Sequence, residues 1–292
     1  MALIDVLIPT YRRKTALAIV LTSLLGQTFR DFDVIISDQS EDLAGTIESV
    51  EIQTLLRALR WRGHDVAAHH HLPRRGMAEQ RHFLLSQSRA RYVHFIDDDV
   101  ILEPPVMERM MQVIQKEDIG FVGCAATGLE YLDDVRPQEQ QHFERWQGPV
   151  RPEPLQPGTL PLIWDRHKVN NAANPLHLEQ QLVDDDQVLR YKVAWVGAAN
   201  LLFDRHKLLS VGGFSWWRRL PQHHAGEEAI AQFLLLRKYG GCALLPSGTY
   251  HLGLPTQVTR RDNNAIELFG ELLDEYDTYS PAEESSSPEI GR

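Results

Sequence analysis

The stretch that decides the fold is residues 92–100, which read Tyr-Val-His-Phe-Ile-Asp-Asp-Asp-Val. Its apolar half predicts a buried strand. Three adjacent carboxylates, Asp97, Asp98 and Asp99, follow at once. They repel one another, so ionising all three is costly unless a cation lies among them. Oxygen ligands of this kind suit Mg²⁺ or Mn²⁺, which commonly hold substrate phosphates. The alternative is a solvated acidic turn in which Asp99 caps the next helix.

Short apolar strands alternate with helices around this stretch. The pattern predicts strands over residues 2–9, 33–37, 65–71 and 91–96, and helices over residues 14–27, 44–61 and 76–88, the first helix capped by Thr10. Such alternation predicts an α/β fold with a mainly parallel sheet and helices on both faces. Ligands of these sheets bind outside the carboxyl ends of the strands. Since Thr10, Asp38 and the three aspartates all follow strands, we expect them at one edge of the sheet.

The second half of the sequence is less regular. A helix is predicted over residues 104–116 and a strand over 119–126. Residues 129–190 show no sustained periodicity of apolar residues, apart from a short helix predicted near 176–183. Such a stretch is usually a functional loop, a small subdomain or disorder. Further predictions are strands over 191–203 and 242–245, helices over 229–239 and 265–276, and a disordered tail over 278–292.

Composition sets the broad class of the protein. With 292 residues, 43% of them hydrophobic, the chain can form one large α/β domain or two small ones. A net charge of −10 is not typical of nucleic-acid-binding proteins. No apolar run reaches membrane-spanning length, so we expect no transmembrane segment. Cys124 and Cys242 suggest buried thiols in a reducing compartment, so we expect a cytoplasmic location, with peripheral membrane association left open.

The order of these motifs resembles that of inverting glycosyltransferases of family 2, which have the nucleotide-sugar-binding fold called GT-A. The matching segments are Ile8-Pro9-Thr10-Tyr11, Asp38-Gln39-Ser40, residues 76–81, Phe95-Ile96-Asp97-Asp98-Asp99, Val211-Gly212-Gly213-Phe214 and Gly226-Glu227-Glu228. The resemblance implies a nucleotide-sugar-binding half over residues 1–128, an irregular insertion over 129–190, and an acceptor-binding and catalytic half of the same domain over 191–277.

The resemblance also implies a nucleotide pocket, lined by Pro9, Thr10, Tyr11 and Arg12. Asp38 would accept a hydrogen bond from the base, most often uracil. Tyr11 offers a flat face for stacking, and a carboxylate can accept from a ring N–H. The alternatives are an ordinary loop residue for Tyr11 and a turn former for Asp38. Arg81 matches an arginine that faces the nucleotide or its diphosphate, with an exposed helix charge as the alternative.

In the family, the three aspartates form the metal-binding DXD motif. Asp97 would lie near the ribose and the metal, Asp99 would bind Mn²⁺ or Mg²⁺ directly, and Asp98 could share either role. The ion would neutralise the charge that develops as the nucleoside diphosphate leaves. His251 matches a position that often completes the metal or phosphate contacts, although a lone histidine is more often structural.

Glu227 and Glu228 stand where the family usually has Glu-Asp, whose second acid is the general base. The longer side chain of Glu228 leaves open which of the two acts. A carboxylate at a helix N-terminus is expected to stay ionised, because the helix dipole favours the anion. It could then take a proton from an acceptor hydroxyl as that oxygen attacks the anomeric carbon. Helix capping is the alternative role.

The acceptor is expected to lie under residues 129–190 and the loop around Trp216. Trp216, Trp217 and Asn200 are the candidate contacts, because aromatic faces stack on sugar rings. Two adjacent tryptophans cannot both point inward from a strand, so at least one is expected to be exposed. The acceptor itself could be a glycan, a lipid-linked sugar or a small molecule.

The sequence thus predicts a metal-dependent enzyme that moves a sugar from a nucleoside-diphosphate sugar to an acceptor hydroxyl with inversion. Uracil is the expected base of the donor. A sugar nucleotidyltransferase is one alternative, but it needs a glycine-rich phosphate loop near the first strand, and residues 9–14 contain no glycine. A non-catalytic nucleotide- or glycan-binding relative is the other, and the missing aspartate after Glu227 is the feature that favours it.

Overall fold

The computed structural model describes residues 1–184, 187–256 and 263–277, and these form an α/β fold around a large sheet. The strands of this sheet are β1 (Ile4–Thr10), β2 (Phe32–Asp38), β3 (Val66–His70), β4 (Tyr92–Ile96), β6 (Phe121–Gly123), β8 (Leu189–Tyr191), β9 (Asn200–Asp204) and β10 (Gly241–Leu245). Their order is β3-β2-β1-β4-β9-β6-β10-β8. A smaller sheet has the order β5-β11-β7, with β5 (Val100–Leu102), β7 (Thr127–Gly128) and β11 (Thr249–His251).

The large sheet is mostly parallel where the site is built. Strands β3, β2, β1 and β4 are parallel neighbours, as are β6 and β10, whereas β9 runs antiparallel between β4 and β6. The register pairs Thr10 with Asp38 at the carboxyl ends of β1 and β2, and β4 ends beside them directly before Asp97. The predicted meeting of these strand ends at one edge is therefore confirmed.

Helices cover both faces of the large sheet. They are α1 (Lys14–Leu25), α2 (Val50–Trp61), α3 (Met77–Gln87), α4 (Val106–Glu117), α5 (Pro137–Gln140), α6 (Leu160–Ile163), α7 (Pro175–Leu182), α8 (Arg205–Leu209), α9 (Glu227–Lys238) and α10 (Phe269–Asp277). Side chains alternate across a strand, so Leu7 packs in one hydrophobic cluster with α3 and α9, while Val6 and Ile8 pack in another with α1, α2 and α4. Within the described residues, no helix is both long and apolar enough to cross a bilayer.

The helix starts differ from the sequence predictions at two places. Thr10 does not cap α1: it is the last residue of β1, and the helix begins at Lys14 after Arg13. Asp99 does not cap a helix either, since β5 follows it. The helix predicted from residue 44 begins only at Val50, because Asp42 holds a turn by accepting from the backbone N–H of Gly45.

The predicted strand over residues 191–203 is wrong in its first part. Two strands are present, β8 ending at Tyr191 and β9 starting at Asn200, and the segment between them leaves the sheet. Gln232 of α9 provides the physical reason: its side chain bonds both the N–H and the carbonyl of Val196, at 2.8 Å each, and so replaces the strand partners of that residue.

The irregular stretch over residues 129–190 contains mostly short helices, although its last two residues already belong to β8 at the edge of the large sheet. Besides α5, α6 and α7, it holds 3-10 helices at Leu129–Tyr131 and Trp164–Asn170. The short helix expected near residues 176–183 is present as α7. The predicted disordered tail over residues 278–292 lies outside the described residues.

Candidate active site

A cavity of about 630 Å³ lies at the carboxyl ends of β1 and β4 and reaches the start of α9. This size suits a small-molecule ligand. Its walls include most of the residues singled out from the sequence, namely Pro9, Thr10, Tyr11, Arg81, Asp97, Asp98, Asp99, Glu227, Glu228 and His251. Two distant segments of the chain, residues 97–99 and 227–228, therefore bring their acids to one place.

The three aspartates are separated by cations of the protein itself. Arg81 Nη2 lies 3.3 Å from Asp97, and Arg13 Nη1 lies 3.2 Å from Asp98 and 2.5 Å from Asp99. Asp98 also accepts a hydrogen bond of 2.6 Å from the Thr10 hydroxyl. Two arginines therefore offset part of the repulsion among these acids, and the expected divalent ion stays a prediction.

Burial and neighbouring charges give the three acids different proton affinities. Burial raises the pKa of Asp98 to about 6, against the lowering effects of Thr10 and Arg13. Burial also raises the pKa of Asp97, opposed by the charge of Arg81. For Asp99, burial is outweighed by the hydrogen bond and charge of His251 together with Arg13, so its pKa is lowered. The same hydrogen bond raises the pKa of His251, whose Nε2 lies 3.4 Å from Asp99.

Arg81 is a buried bridge between the residue that follows β4 and the first turn of α9. Its side chain is only 3% exposed, and its Nε lies 3.3 Å from Glu227 Oε1 while its Nη2 contacts Asp97. The alternative of an exposed helix charge is thus wrong. Although Arg81 lines the cavity, its charge is shared with two carboxylates, so its first role is to hold β4 and α9 together.

Glu228 lies in the first turn of α9 and lines the cavity. Burial, and then the neighbouring charge of Glu227, raises its pKa to about 8. The expectation that the helix dipole keeps it ionised is corrected. The dipole contributes only about 0.3–1 kcal/mol, whereas burial can shift a carboxyl pKa by several units. Burial and the charge of Glu227 therefore outweigh the helix dipole and favour the protonated form of Glu228.

The wall of the cavity directly after β1 combines an aromatic ring with an arginine. The guanidinium carbon of Arg74 lies 3.5 Å from the centroid of the Tyr11 ring, and both residues line the cavity. Asp38 is fully buried: its Oδ1 accepts from the N–H of Ser40 at 2.7 Å, and its Oδ2 has no hydrogen-bond partner among the described residues. Gln39, next to it, reaches the cavity wall.

Of two neighbouring arginines, the sequence singled out the wrong one. Arg12 points away from the cavity, with 62% of its side chain exposed and an ion pair to Glu41 at 2.8 Å. Arg13 instead enters the cavity, where it contacts two aspartates and donates to the carbonyl of Pro255. A positive φ of 53° at Arg12 turns the backbone between them, a feature that no residue pattern signals.

Comparison with known proteins agrees with this geometry. Residues 5–171 match the family described as Glycosyl transferase family 2. The chain belongs to this family. An "Uncharacterized glycosyltransferase" of Haemophilus influenzae is 27% identical over 145 residues, which are 47% of this chain and 46% of that protein. The match thus spans about half the length of the curated relative.

Solved structures support the fold of this family 2 chain. TarS of S. aureus, residues 1–349, in complex with UDP-GlcNAc, superposes with a TM-score of 0.56 at 14% identity, covering 94% of this chain and 65% of that one. Mannosyltransferase PcManGT of Pyrobaculum calidifontis, in complex with GDP-Man and Mn²⁺, gives a TM-score of 0.50 at 14% identity, covering 83% and 56%. The predicted GT-A fold class is confirmed.

The residues predicted to contact an acceptor do not line the cavity of this family 2 chain. Trp216 is 3% exposed, and its indole N–H donates to the carbonyl of Gly213. It is buried because residues 215–219 form a 3-10 helix rather than a strand. Asn200 is fully buried between His94 and Thr249. Trp217 is half-buried near Arg75 and Arg218. None of the three predicted residues therefore lines the cavity, and Trp216 and Asn200 are buried inside the protein.

Two other tryptophans reach the cavity, Trp164 and Trp195. Sequence reasoning missed them. Trp164 lies in the irregular insertion, where no period indicates a face, and Trp195 lay in the interior of a predicted strand. Gly197, two residues after Trp195, was the signal that could have indicated a break in the strand.

Proposed function

We propose that this chain transfers a sugar from a nucleoside-diphosphate sugar, with UDP as the nucleotide, to an acceptor hydroxyl with inversion at the anomeric carbon. The observation that carries the proposal is one cavity shared by the acidic end of β4, the arginines Arg13 and Arg81, and Glu228 at the start of α9. A single displacement needs a leaving diphosphate held on one side and a base on the other, and inversion follows from such a displacement.

The donor would bind along β1 and β2. Tyr11 and the guanidinium of Arg74 form a flat, positively charged surface suited to a base and its phosphates. Asp38 supplies a buried carboxylate oxygen without a partner among the described residues, which suits the ring N–H of uracil. The UDP-GlcNAc and GDP-Man complexes of the two structural neighbours support a nucleotide-sugar donor.

The residues fit a divalent ion in their donor chemistry. Asp97 and Asp99 offer carboxylate oxygens and His251 an imidazole nitrogen, which suit Mn²⁺ or Mg²⁺. In the part of the chain that the structure describes, no three such groups converge as ligands, and Arg13 Nη1 lies 2.5 Å from Asp99. When bound, the ion would neutralise charge on the leaving diphosphate. Arg13 would have to leave Asp99, since both cations need the same carboxylate.

Glu228 would act as the general base and Glu227 as its positioning partner. Glu227 is fixed by Arg81, whereas Glu228 faces the cavity. Only the ionised form of Glu228 can take the proton from the acceptor hydroxyl, so turnover should rise with pH through its pKa of about 8. The buried thiols of Cys124 and Cys242 support action in a reducing compartment, the cytoplasm.

Turnover of a panel of UDP- and GDP-sugars tests the proposal. UDP release should be detected for a UDP-sugar, should require Mn²⁺ or Mg²⁺, and should give a product of inverted configuration by NMR. Glu228→Gln should lower kcat about 10²-fold or more, and Glu227→Gln should perturb it less. Normal turnover in both variants would refute the base assignment. Binding of UDP without release of product from any donor would favour a non-catalytic relative instead.

A further inference from the structure

We propose that Trp164 and Trp195 form a stacking platform for a sugar ring of the acceptor, so that the acceptor is a carbohydrate. This inference rests on the proposed function, because it assigns the acceptor side of the same cavity. Both tryptophans line the cavity that contains Glu228. They come from different segments: Trp164 from the insertion and Trp195 from the turn before β9.

The two indole rings pack against each other at an angle. Their centroids are 4.7 Å apart, and their planes meet at 54°. His167 stacks on Trp195 at 4.5 Å with its plane within 8° of parallel. Because His167 does not line the cavity, it supports the Trp195 ring from the side away from the ligand. The ring is thereby presented as a flat surface rather than left free to rotate.

The platform is fixed relative to Glu228 through α9. Gln232, one turn after Glu228, is fully buried and bonds both backbone groups of Val196 at 2.8 Å. Its Nε2 also donates to the Glu228 carbonyl at 3.1 Å. Phe233 on the same helix meets Trp195 edge-on at 6.1 Å. The helix that carries the proposed base therefore also sets the position of the aromatic surface, as a positioned acceptor hydroxyl requires.

The insertion holds the platform from its other side. Asn170 donates from Nδ2 to the Trp195 carbonyl at 2.6 Å, and the Nδ1 of His167 lies 2.6 Å from the Trp164 carbonyl. Both contacts arise within the 3-10 helix Trp164–Asn170. The irregular insertion therefore brings Trp164 to the cavity and supports the position of Trp195.

The aromatic surface formed by Trp164 and Trp195 favours a neutral sugar ring. A pyranose has one face of C–H groups that packs on an aromatic surface, and hydroxyls at its rim that bond to polar groups. The same cavity is also lined by polar groups of Gln222, His223 and Asn264. Glu227, and Glu228 once it is ionised, disfavour an anionic group at this end. A lipid chain would leave those polar walls unpaired, which is costly.

Saturation-transfer NMR with methyl glycosides of glucose, galactose, mannose and N-acetylglucosamine tests the platform directly. At least one glycoside should show transfer concentrated on the ring hydrogens of one face. Trp164→Ala and Trp195→Ala should weaken its binding about tenfold, and Trp195→Phe should restore part of it. Trp61→Ala is the matched control, since Trp61 is 90% exposed on α2, and it should bind glycosides as the wild type does.

The outcomes separate this inference from the proposed function. Calorimetry with UDP in the same variants reports the donor side, and the tryptophan variants should lose more affinity for the glycoside than for UDP. The platform is refuted if no glycoside shows saturation transfer from the wild type. It is also refuted if the wild type and both alanine variants give equal saturation transfer. If UDP-sugar is still cleaved in that case, the proposed function stands. If a glycoside shows saturation transfer from the wild type but no nucleotide-sugar donor is turned over, only the proposed function is refuted.

Discussion

Removing the charge of Arg81 should destabilise the fold as well as the site. Arg81→Gln would leave Asp97 and Glu227 without the cation that lies 3.3 Å from each. Glu228, whose pKa the charge of Arg81 lowers, would be left among the same uncompensated acids. The substitution keeps a polar side chain but shortens it, so both the charge and the guanidinium contacts to Asp97 and Glu227 are lost.

The size of the effect follows from burial. Breaking a buried ion pair by removing one partner costs about 3–5 kcal/mol. Asp97 keeps 33% of its side chain accessible, so the lower end of the range applies. At about 2–4 °C per kcal/mol for a large domain, a loss of about 3 kcal/mol lowers the melting temperature by about 6–12 °C. The deficit should shrink at acidic pH, because protonated carboxyls no longer need the cation.

The assay is thermal unfolding of two variants, Arg81→Gln and Arg12→Gln, each followed from pH 5 to pH 8. Arg12 is the matched control, because its ion pair with Glu41 is largely exposed and exposed pairs contribute little. Its variant should melt with the wild type at every pH. If Arg81→Gln melts no lower than Arg12→Gln, the buried bridge between β4 and α9 does not stabilise the fold as described.

Three further predictions concern single side chains of the site. The pKa of Glu228 is about 8 in the folded chain against 4.5 ordinarily, so between these values the folded state keeps a proton that the unfolded state loses, and stability falls as pH rises. Glu228→Gln should therefore melt with the wild type near pH 5 and several degrees above it near pH 9; parallel melting curves at both pH values would contradict the raised pKa. Arg13→Gln should bind Mn²⁺ several-fold more tightly by electron paramagnetic resonance, because a competing cation leaves Asp99, and weaker binding would show that Arg13 does not compete. Asp38→Asn should weaken UDP binding about tenfold by calorimetry, with Arg12→Gln unchanged, and equal affinities would remove Asp38 from the base contact.

Much of the fold follows from local patterns in the sequence. Apolar strands and amphipathic helices alternate with a period that the backbone geometry imposes, so the order of β1 to β4 and the helices between them is predictable. Polar residues directly after those strands must lie at one edge of a parallel sheet. For that reason the sequence predicts that Thr10, Asp38 and the three aspartates lie together.

The tertiary structure alone decided which side chains enter the cavity and in what charge state. A positive φ at Arg12 sends Arg13 to the acids, a 3-10 helix buries Trp216, and an aperiodic insertion delivers Trp164. The raised pKa of Glu228 depends on burial by segments far away in the sequence and on the charges of Glu227 and Arg81. Strand ends are set by short-range backbone geometry, whereas burial and electrostatic environment are sums over neighbours that only the folded chain brings together.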